Sequence, residues 1–374
     1  MVVFGTGIWQ ILCRTTFAIC QIPPPGLAEC GWLYNDLPRF DKQIGNLNML
    51  SITRLTIVFL LLTANALHAA PDMAKLQKQY PPAPVEMSLQ QVSERVYYVQ
   101  GAAGTAVENE GFVSNAGVVV TDKGVIVVDA LGTPSLAAML LDRIRKITDK
   151  PVTKVFMTHY HADHIYGLQV FKEQGAEIIA PAGVLDYLNS PEAEARLEER
   201  RFSLDPWVND KTRLVGPDVY VRKKTTLEIG DVRITLMPVG AAHSDGDMTI
   251  YVEPDRVLFS GDIIFEGRVP YLGDADTRLW LETLRQMETS GLVALVPGHG
   301  PAASDPTRAV RATRRYLERV REVMGRAVEE MIPFDEAFEN ADWSEFAKLP
   351  AFEAAHRRNA YQVYLSMEEE LFGK

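Results

Sequence analysis

Cysteine is scarce in this 374-residue chain, and the three that occur, Cys13, Cys20 and Cys30, all lie before residue 49. Residues 49–374 therefore contain no thiol that could form a disulfide or bind a metal as a thiolate. This absence excludes a disulfide-stapled scaffold for that part of the chain. It leaves histidine and carboxylate side chains as the expected ligands of any metal site.

An excess of positive charge is also lacking, and so are long apolar runs in most of the chain. The formal net charge is −11 and the isoelectric point is near 5.2, which argues against a nucleic-acid groove. No stretch after residue 70 is apolar for long enough to span a bilayer, so we expect no membrane span in the mature chain. The composition is nevertheless 47% apolar, which is enough for a large core.

Residues 49–70 combine the parts of a secretory signal peptide. Met49 and the basic Arg54 precede an apolar core, and small residues suitable for cleavage follow it. Such a signal is too deep in the chain to be used by export machinery. We therefore expect that Met49 is the true start and that residues 1–48 are an over-extended, unstructured segment; a genuine unstructured leader is the alternative. The signal predicts a periplasmic or secreted protein.

The rest of the chain divides into a mixed α/β part and a helical part. Residues 71–87 are polar and proline-spaced, which indicates a linker or a strapped-down N-terminus of the mature chain. Residues 88–305 alternate between strand and helix patterns and form the predicted main domain. Residues 306–374 contain long helical patterns without strand signals, and we interpret them as a C-terminal helical extension.

Short β-branched runs bounded by glycine, proline or aspartate mark the strands of the main domain. The predicted strands are 92–100, 112–121, 125–128, 152–157, 178–180, 219–226, 227–238, 248–252, 256–260 and 293–296. Helix signals begin at Thr133, which precedes a proline in the first turn. The predicted helices run from Thr133 to about Asp149 and over 191–202, 277–289 and 308–331, with one or two more in 343–374.

One stretch, residues 158–167, holds four potential metal ligands within six positions. It follows the predicted strand 152–157 and precedes a helix pattern that starts at Ile165, so the ligands lie on a tight strand-to-helix connection. His159 and His161 are two residues apart and share a side of an extended backbone. A pair of ligands after the turn can face a second point nearby, which is what a two-metal site needs.

The histidines of the chain are unevenly distributed. Five of the seven fall in or near glycine-containing stretches at strand ends, and a random scatter would rarely produce this. We therefore favour a metal site over a polar loop that is histidine-rich by chance. These five residues are His159, His161, His164, His243 and His299.

The stretch T-H-Y-H-A-D-H-I-Y-G at 158–167 resembles the signature T-H-x-H-x-D-H-x-x-G of metallo-β-lactamase-fold hydrolases at every fixed position. The resemblance covers about residues 92–301 and implies an α/β fold, a four-layer αβ/βα sandwich, here followed by the helical extension. Four further residues fit the family pattern in order and spacing: Asp129, His243, Asp262 and His299.

The same resemblance implies a site for two metal ions. It implies His159, His161 and His243 as ligands of a first metal, Asp163, His164 and His299 as ligands of a second, and Asp262 as a bridge between them. Two Zn²⁺ are expected because imidazole and carboxylate ligands suit zinc, with iron and manganese as open alternatives. Two cations about 3.5–4 Å apart would hold a bridging hydroxide that attacks a carbonyl carbon. Asp163 and Asp262 are the predicted catalytic carboxylates, and Asp129 is expected to orient the ligand loop through hydrogen bonds.

The function that follows is an exported dinuclear zinc hydrolase acting on a small ester, thioester or lactam. Aspartate at 262 separates the chain from metallo-β-lactamases that place cysteine there, and the Asp163-His164 pair looks more like hydroxyacylglutathione hydrolases. A finer resemblance is to periplasmic zinc hydrolases associated with quinoprotein or sulfur-oxidation systems. Two alternatives stay open: a true β-lactamase, and a di-iron redox or non-catalytic metal-binding protein.

Several aromatic residues and one histidine carry weaker expectations. Tyr160, Tyr166, Phe265 and Tyr271 are close to ligands in sequence and could line the substrate cleft, although ordinary packing is at least as good an explanation. His356 lies among charged residues and is expected at the surface. In the extension, packing against the main domain is favoured over a homodimer contact for the apolar anchors Trp343, Phe346, Phe352, Tyr361, Tyr364 and Leu365.

Overall fold

Two β-sheets packed face to face form the centre of the computed structural model, which describes residues 73–273, 275–287 and 291–373. The predictions for residues 1–48 and 49–70 lie outside the described residues. The first sheet has the order β1 (Leu89–Gln91), β2 (Val96–Val99), β3 (Ala116–Thr121), β4 (Gly124–Val128), β5 (Val152–Phe156), β6 (Glu177–Pro181), β7 (Val219–Val221). The second sheet consists of β8 (Thr225–Ile229), β9 (Val232–Gly240), β10 (Asp247–Val252), β11 (Val257–Phe265) and β12 (Ala294–His299).

The two sheets are both mixed. In the first sheet β1 to β4 pair antiparallel, and β4 to β7 pair parallel through helical crossovers. In the second sheet β8 to β11 pair antiparallel, and β12 lies parallel to β11. The carboxyl ends of β4, β5 and β6 share one edge of the first sheet because parallel strands run in the same direction.

Ten α-helices of the described residues cover the outer faces of the sheets or connect strands. Before the second sheet these are α1 (Met73–Gln79), α2 (Pro134–Arg145), α3 (Ala162–Ile165), α4 (Leu168–Glu173), α5 (Val184–Leu188) and α6 (Pro191–Ser203). Those that follow are α7 (Thr277–Gln286), α8 (Pro306–Glu329), α9 (Phe334–Asn340) and α10 (Phe352–Phe372). Thr133 caps α2 as predicted, since its hydroxyl accepts a hydrogen bond from the Leu136 amide.

Strand alternation divides the apolar residues among three cores. Val125 and Val127 of β4 face α2, whereas Ile126 and Val128 face the second sheet, because successive side chains point to opposite faces. A third core packs the outer face of the second sheet against α7, α8 and α10. The layers are therefore helix, sheet, sheet and helix, which confirms the predicted four-layer α/β sandwich with a C-terminal helical extension.

Some elements differ from the prediction at their ends. The pattern over 219–226 is divided between β7 in the first sheet and β8 in the second, and α5 and α9 were not predicted. β11 does not end at Asp262 but continues to Phe265. Gly261 pairs with Pro297 and Phe265 pairs with His299, so β11 bulges at this point and carries Asp262 inside an irregular strand.

Residues 73–87, within the segment predicted as a linker or a strapped-down N-terminus, pack onto the first sheet. Leu76, Tyr80 and Met87 are buried in the core of that layer. The Tyr80 hydroxyl accepts a hydrogen bond from Gln169 of α4 at 2.9 Å. This segment therefore belongs to the packed outer face of the first sheet.

The helical extension shares its core with the second sheet, as favoured for its aromatic anchors. Trp343 and Phe346 are buried, whereas Tyr361 and Leu365 are exposed on α10. Among the residues that the structure describes, no helix is long and apolar enough to cross a membrane. Dimer contact through the extension stays a prediction.

His356 is buried, so its predicted surface position is wrong. Its ring stacks on Phe352 with centroids 4.3 Å apart and lies edge-on to Trp343 at 4.4 Å. The Tyr316 hydroxyl accepts a hydrogen bond from Asn359 and forms another with Nδ1 of His356 at 2.8 Å. Burial lowers the pKa of His356 to about 4.

This burial predicts a pH-dependent contribution to stability. The folded-state pKa of His356 lies below the ordinary value of about 6.5, so the unfolded chain takes up the proton first as the pH falls. The free energy of unfolding should therefore decrease between about pH 6.5 and pH 4. In His356→Phe, the difference between the free energies of unfolding at pH 7 and pH 4.5 should shrink by about 2 kcal/mol, measured by urea denaturation.

Tyr364→Phe is the matched control on the same helix, because it removes a hydrogen bond to the Ile332 carbonyl but no group that titrates in this range. It should lower the free energy of unfolding equally at both pH values. Identical pH dependence in His356→Phe and the parent protein would contradict the assignment.

Candidate metal centre

The stretch 158–167 connects the end of β5 to α3, as predicted. Residues 157–161 are extended or irregular, and His161 has the extended backbone of a helix N-cap. Asp163 and His164 then lie in the single turn of α3. The change from extended chain to helix directs the two halves of the stretch to different points, which is the geometry that the spacing predicted.

All seven predicted ligand residues converge in two neighbouring groups. The ligand-type atoms within each group lie within 4.8 Å of one another. The first group contains His159, His161, His243 and Asp262, and the second contains Asp163, His164 and His299. Both groups draw on the β5–α3 connection and on the second sheet, so neither exists until the two sheets pack together.

Asp262 lies between the two groups. Its Oδ2 is 3.3 Å from Nε2 of His243 and 3.2 Å from Nε2 of His299, and its Oδ1 is 3.2 Å from Nε2 of His164. The other carboxylate, Asp163, has its Oδ2 3.3 Å from Nε2 of His299. The Asp262 carboxylate therefore lies close to histidines of both groups, which is the position that the predicted bridge requires.

Hydrogen bonds on the outer side of the rings fix the direction of the inner nitrogens. Nδ1 of His164 lies 2.9 Å from Oδ2 of Asp129, and Nδ1 of His299 lies 2.7 Å from the Val113 carbonyl oxygen. A carboxylate and a carbonyl only accept, so both Nδ1 atoms must donate. The lone pair of each Nε2 is therefore directed at the cluster, as a metal ligand requires.

Thr158 orients His159 in the same way. Its hydroxyl donates to Oδ2 of Asp129 at 2.8 Å and thus accepts from Nδ1 of His159 at 2.9 Å. Asp129 also accepts from the Thr158 amide at 2.7 Å and has the left-handed backbone angle φ of 60°. A non-glycine residue in this region is strained, and here its carboxylate holds two of the predicted ligands.

The buried polar atoms of the cluster fit a cation. Nε2 of His164 and Oδ1 of Asp262 are buried and 3.2 Å apart, yet neither has a hydrogen-bond partner among the described residues. Nε2 of His243 and Nδ1 of His161, both in the first group, are 2.9 Å apart. Buried ring nitrogens and carboxylate oxygens that converge at such distances are typical of ligands that share a central ion.

Side chains that the sequence did not single out hold the ligand loops in place. The Asn115 amide group donates to the carbonyl oxygens of Pro297 and Gly300, both at 2.8 Å, and thereby clamps the segment that carries His299. Gly298 must lack a side chain because a Cβ there would lie 1.8 Å from Oδ1 of Asp262. The only sequence signal that could have pointed to Asn115 is that a polar residue directly precedes the apolar strand 116–121.

The loop that carries His243 is closed by a short side-chain bridge. The Ser244 amide and hydroxyl both donate to the Asp247 carboxylate, at 2.8 and 2.9 Å. Next to it Gly246 approaches Gly183 so closely that a Cβ on Gly246 would lie 2.4 Å from the Gly183 Cα. His243 itself packs edge-on against Trp280 at 5.2 Å, and its Nδ1 has no partner among the described residues.

Burial and neighbouring charges set the protonation of the cluster. Burial lowers the pKa of His243 to about 3, and it raises the pKa of Asp247 to about 8. Burial alone would also raise the pKa of Asp262, but His299 and His164 outweigh it and hold that pKa well below its usual range. Neutral His243 and ionised Asp262 are the forms that bind metal.

A cavity of about 440 Å³ opens beside the cluster. Its wall includes the predicted ligands His161, Asp163, Asp262 and His299, so a molecule in the cavity would contact both groups. The four aromatic residues proposed for the cleft all line it: Tyr160, Tyr166, Phe265 and Tyr271. Helix α10 closes the wall with small residues and Arg358, so the extension forms part of the pocket.

The chain is similar in sequence to proteins of known families. The family model of the metallo-beta-lactamase superfamily matches residues 109–299. The metallo-beta-lactamase type 2 of Bacillus sp. (strain 170) is 25% identical over 202 residues, which are 53% of this chain and 68% of that protein. The acyl-coenzyme A thioesterase MBLAC2 of Gallus gallus is 30% identical over 190 residues, which are 46% of this chain and 68% of that protein.

A solved structure supports the fold. The metallo-beta-lactamase from Pontibacter korlensis superposes with a TM-score of 0.51 at 20% identity, covering 62% of this chain and 99% of that one. Since the family match spans half of the chain and the fold agrees, the chain belongs to the metallo-β-lactamase superfamily and is a metal-dependent hydrolase. The family resemblance stated from the sequence is thereby confirmed.

The hydrogen bonds of Asp129 predict that this residue contributes to the affinity for metal. Asp129→Ala removes the acceptor that orients His164 and Thr158, so the affinity for Zn²⁺ should fall about 10–100-fold. The affinity is measured by competition with a chromogenic chelator. Asp149→Ala removes an exposed carboxylate and serves as the control, with an expected affinity equal to that of the parent protein. Equal affinities in all three proteins would show that Asp129 does not act on the ligands.

Proposed function

We propose that this protein is an exported dinuclear zinc hydrolase that cleaves a small carbonyl substrate, an ester, thioester or lactam. The observation that carries the proposal is the convergence of seven histidine and aspartate side chains in two groups with Asp262 between them. The absence of thiols after residue 48 and the ligand set of imidazole and carboxylate support zinc, with iron or manganese as the alternatives to be tested.

The proposed roles follow the two groups of ligands. His159, His161 and His243 would hold one ion, Asp163, His164 and His299 the other, and Asp262 both. When bound, the two ions would supply a water deprotonated near neutral pH and would polarise the substrate carbonyl. The chain contributes the orientation: Asp129 and Thr158 fix the ring directions, and the cavity positions the substrate beside Asp163.

Asp163 and Asp262 differ in exposure, which supports different tasks. The side chain of Asp262 is 4% exposed and that of Asp163 is 25% exposed at the cavity wall. We assign Asp262 to holding the ions together and Asp163 to the face that meets the substrate. Asp163 stays ionised because its neighbours His164 and His299 outweigh the effect of burial and lower its pKa.

Relatives favour two substrate classes within this proposal. Acyl-coenzyme A thioesterases of this superfamily reach 30% identity, which supports a thioester substrate. Type 2 metallo-beta-lactamases at 25% identity favour a true β-lactamase as the second candidate. We also propose that residues 49–70 direct export to the periplasm or out of the cell; N-terminal sequencing of the secreted protein, with residue 40 absent from the mature form, tests this.

The hydrolase proposal is tested with a panel of ester, thioester, lactone, lactam and phosphodiester substrates, nitrocefin included, on zinc-loaded protein. We expect hydrolysis of at least one carbonyl substrate, its loss in EDTA and its recovery on adding Zn²⁺. His161→Ala should reduce kcat/KM at least about a hundredfold, because a direct ligand is lost rather than a supporting contact. Metal analysis should give two zinc ions per chain.

Two results would contradict the proposal in different ways. A visible absorption band and two bound iron ions would point to the di-iron alternative. Activity that survives EDTA and the His161→Ala substitution would remove the metal from the mechanism. The melting temperature of His161→Ala, measured without metal, serves as the control that the fold is retained.

A further inference from the structure

The cavity beside the metal centre concentrates positive charge in an acidic protein. Four arginines line it: Arg196 and Arg200 from α6, Arg268 from the segment after β11, and Arg358 from α10. Apart from the predicted ligands, Glu192 is the single acidic residue among the described residues of its wall. The chain as a whole carries a net charge of −11, so this local excess of cations indicates an anionic ligand.

Arg268 differs from the other three arginines in its surroundings. Arg196 pairs with Glu199 at 3.3 Å, Arg200 approaches the same carboxylate at 3.6 Å, and the Arg358 guanidinium lies over the Tyr271 ring at 5.6 Å. In Arg268 the Nε atom is buried and has no hydrogen-bond partner among the residues that the structure describes. A buried guanidinium nitrogen that donates to nothing costs stability, so its presence calls for a functional reason.

The location of Arg268 points to the reacting end of the cavity. Arg268 lines the wall of the same cavity as Asp262, Asp163 and His299. Both carboxylates are predicted metal ligands, so their negative charge would be neutralised by the metal ions and not by the Arg268 guanidinium. The cavity that Arg268 lines is therefore the place where a bound molecule can supply its partner.

We propose that the pocket selects a substrate that carries an oxyacid anion, carboxylate or phosphate, close to its scissile carbonyl, and that Arg268 binds this anion. The inference rests on the proposed function, because it places the anion beside the bond that the metal centre would cleave. The planar guanidinium matches two oxygens of either group, which gives orientation as well as charge. Arg358, supported by Tyr271, adds attraction from the helical extension.

The proposal is tested with two matched substrate pairs on zinc-loaded protein. The carboxylate pair is mono-4-nitrophenyl glutarate and its methyl ester. The phosphate pair is the 4-nitrophenyl ester of 2-phosphoglycolate and the same compound with its phosphate as the dimethyl ester, so that the charged group lies close to the scissile carbonyl in both pairs. The parent protein should prefer the anionic member of one pair by about tenfold or more in kcat/KM. The pair that shows the preference identifies the anion.

Variants of Arg268 separate binding from chemistry. Arg268→Gln should abolish the preference mainly by raising KM for the anionic substrate, and Arg268→Lys should keep part of it, since charge remains but the fork is lost. Arg311→Gln is the matched control, because Arg311 is exposed on α8 and does not line the cavity. The control should retain the full preference.

Several outcomes would overturn the proposal. These are equal rates for both members of each pair in the parent protein, or a preference that persists in Arg268→Gln. A lower melting temperature of Arg268→Gln with unchanged preference would make Arg268 a structural residue. An unchanged or higher melting temperature is expected, because the substitution removes a cation whose buried Nε atom has no hydrogen-bond partner among the described residues.

Failure of the proposed function is distinguishable from failure of this inference. If none of the four compounds is hydrolysed, calorimetric titration of zinc-loaded protein with succinate and with inorganic phosphate decides the question alone. Binding of either anion that weakens about tenfold or more in Arg268→Gln, and not in Arg311→Gln, supports the anion site. Equal affinities in the three proteins, or no binding, overturn it.

Discussion

The rest of the site depends on the contacts between the carboxylate of Asp262 and the surrounding histidines. Its two oxygens lie between 3.2 and 3.9 Å from nitrogens of four histidines that come from distant parts of the chain. Four imidazoles without a central negative charge and without cations would leave buried lone pairs facing one another. The bulge in β11 positions this carboxylate, and the absence of a side chain at Gly298 leaves room for it.

The two sheets contribute unequal halves of the site. The first sheet supplies the compact stretch after β5, in which His159, His161, Asp163 and His164 are sequence neighbours. The second sheet supplies three single residues from separate loops and strand ends. The core between the sheets therefore sets the distance between the halves, and the packing of strands such as β4 and β10 is a condition for metal binding.

The sequence singled out the seven residues that converge, because each lies at or near a strand end and the set matches the pattern of the family that the sequence resembles. The orienting role of Asp129 was predictable for the same reason. The burial of His356 was not, because its neighbours along α10 are charged and only contacts from Trp343 and Tyr316 decide its environment. The continuation of β11 past Asp262 depends on irregular pairing with β12, which has no local signal.

The roles of residues that act through tertiary contacts could also not be predicted from the sequence. Asn115 binds a loop more than 180 positions away in the sequence. Arg268 can be recognised only from the structure, where its buried Nε atom has no hydrogen-bond partner among the described residues. The division of 219–226 between two sheets depends on which edge each short strand reaches. Periodicity describes one strand at a time and does not specify its neighbours.

The contact between Gly183 and Gly246 has a consequence for how this scaffold can change. Backbone touches backbone there, between the loop before α5 and the loop that carries His243. Neither loop can gain a side chain or an extra residue at that point without displacing a metal ligand. Changes in the substrate pocket are therefore better tolerated in the parts of its wall that come from residues 104–107 and from the last helix.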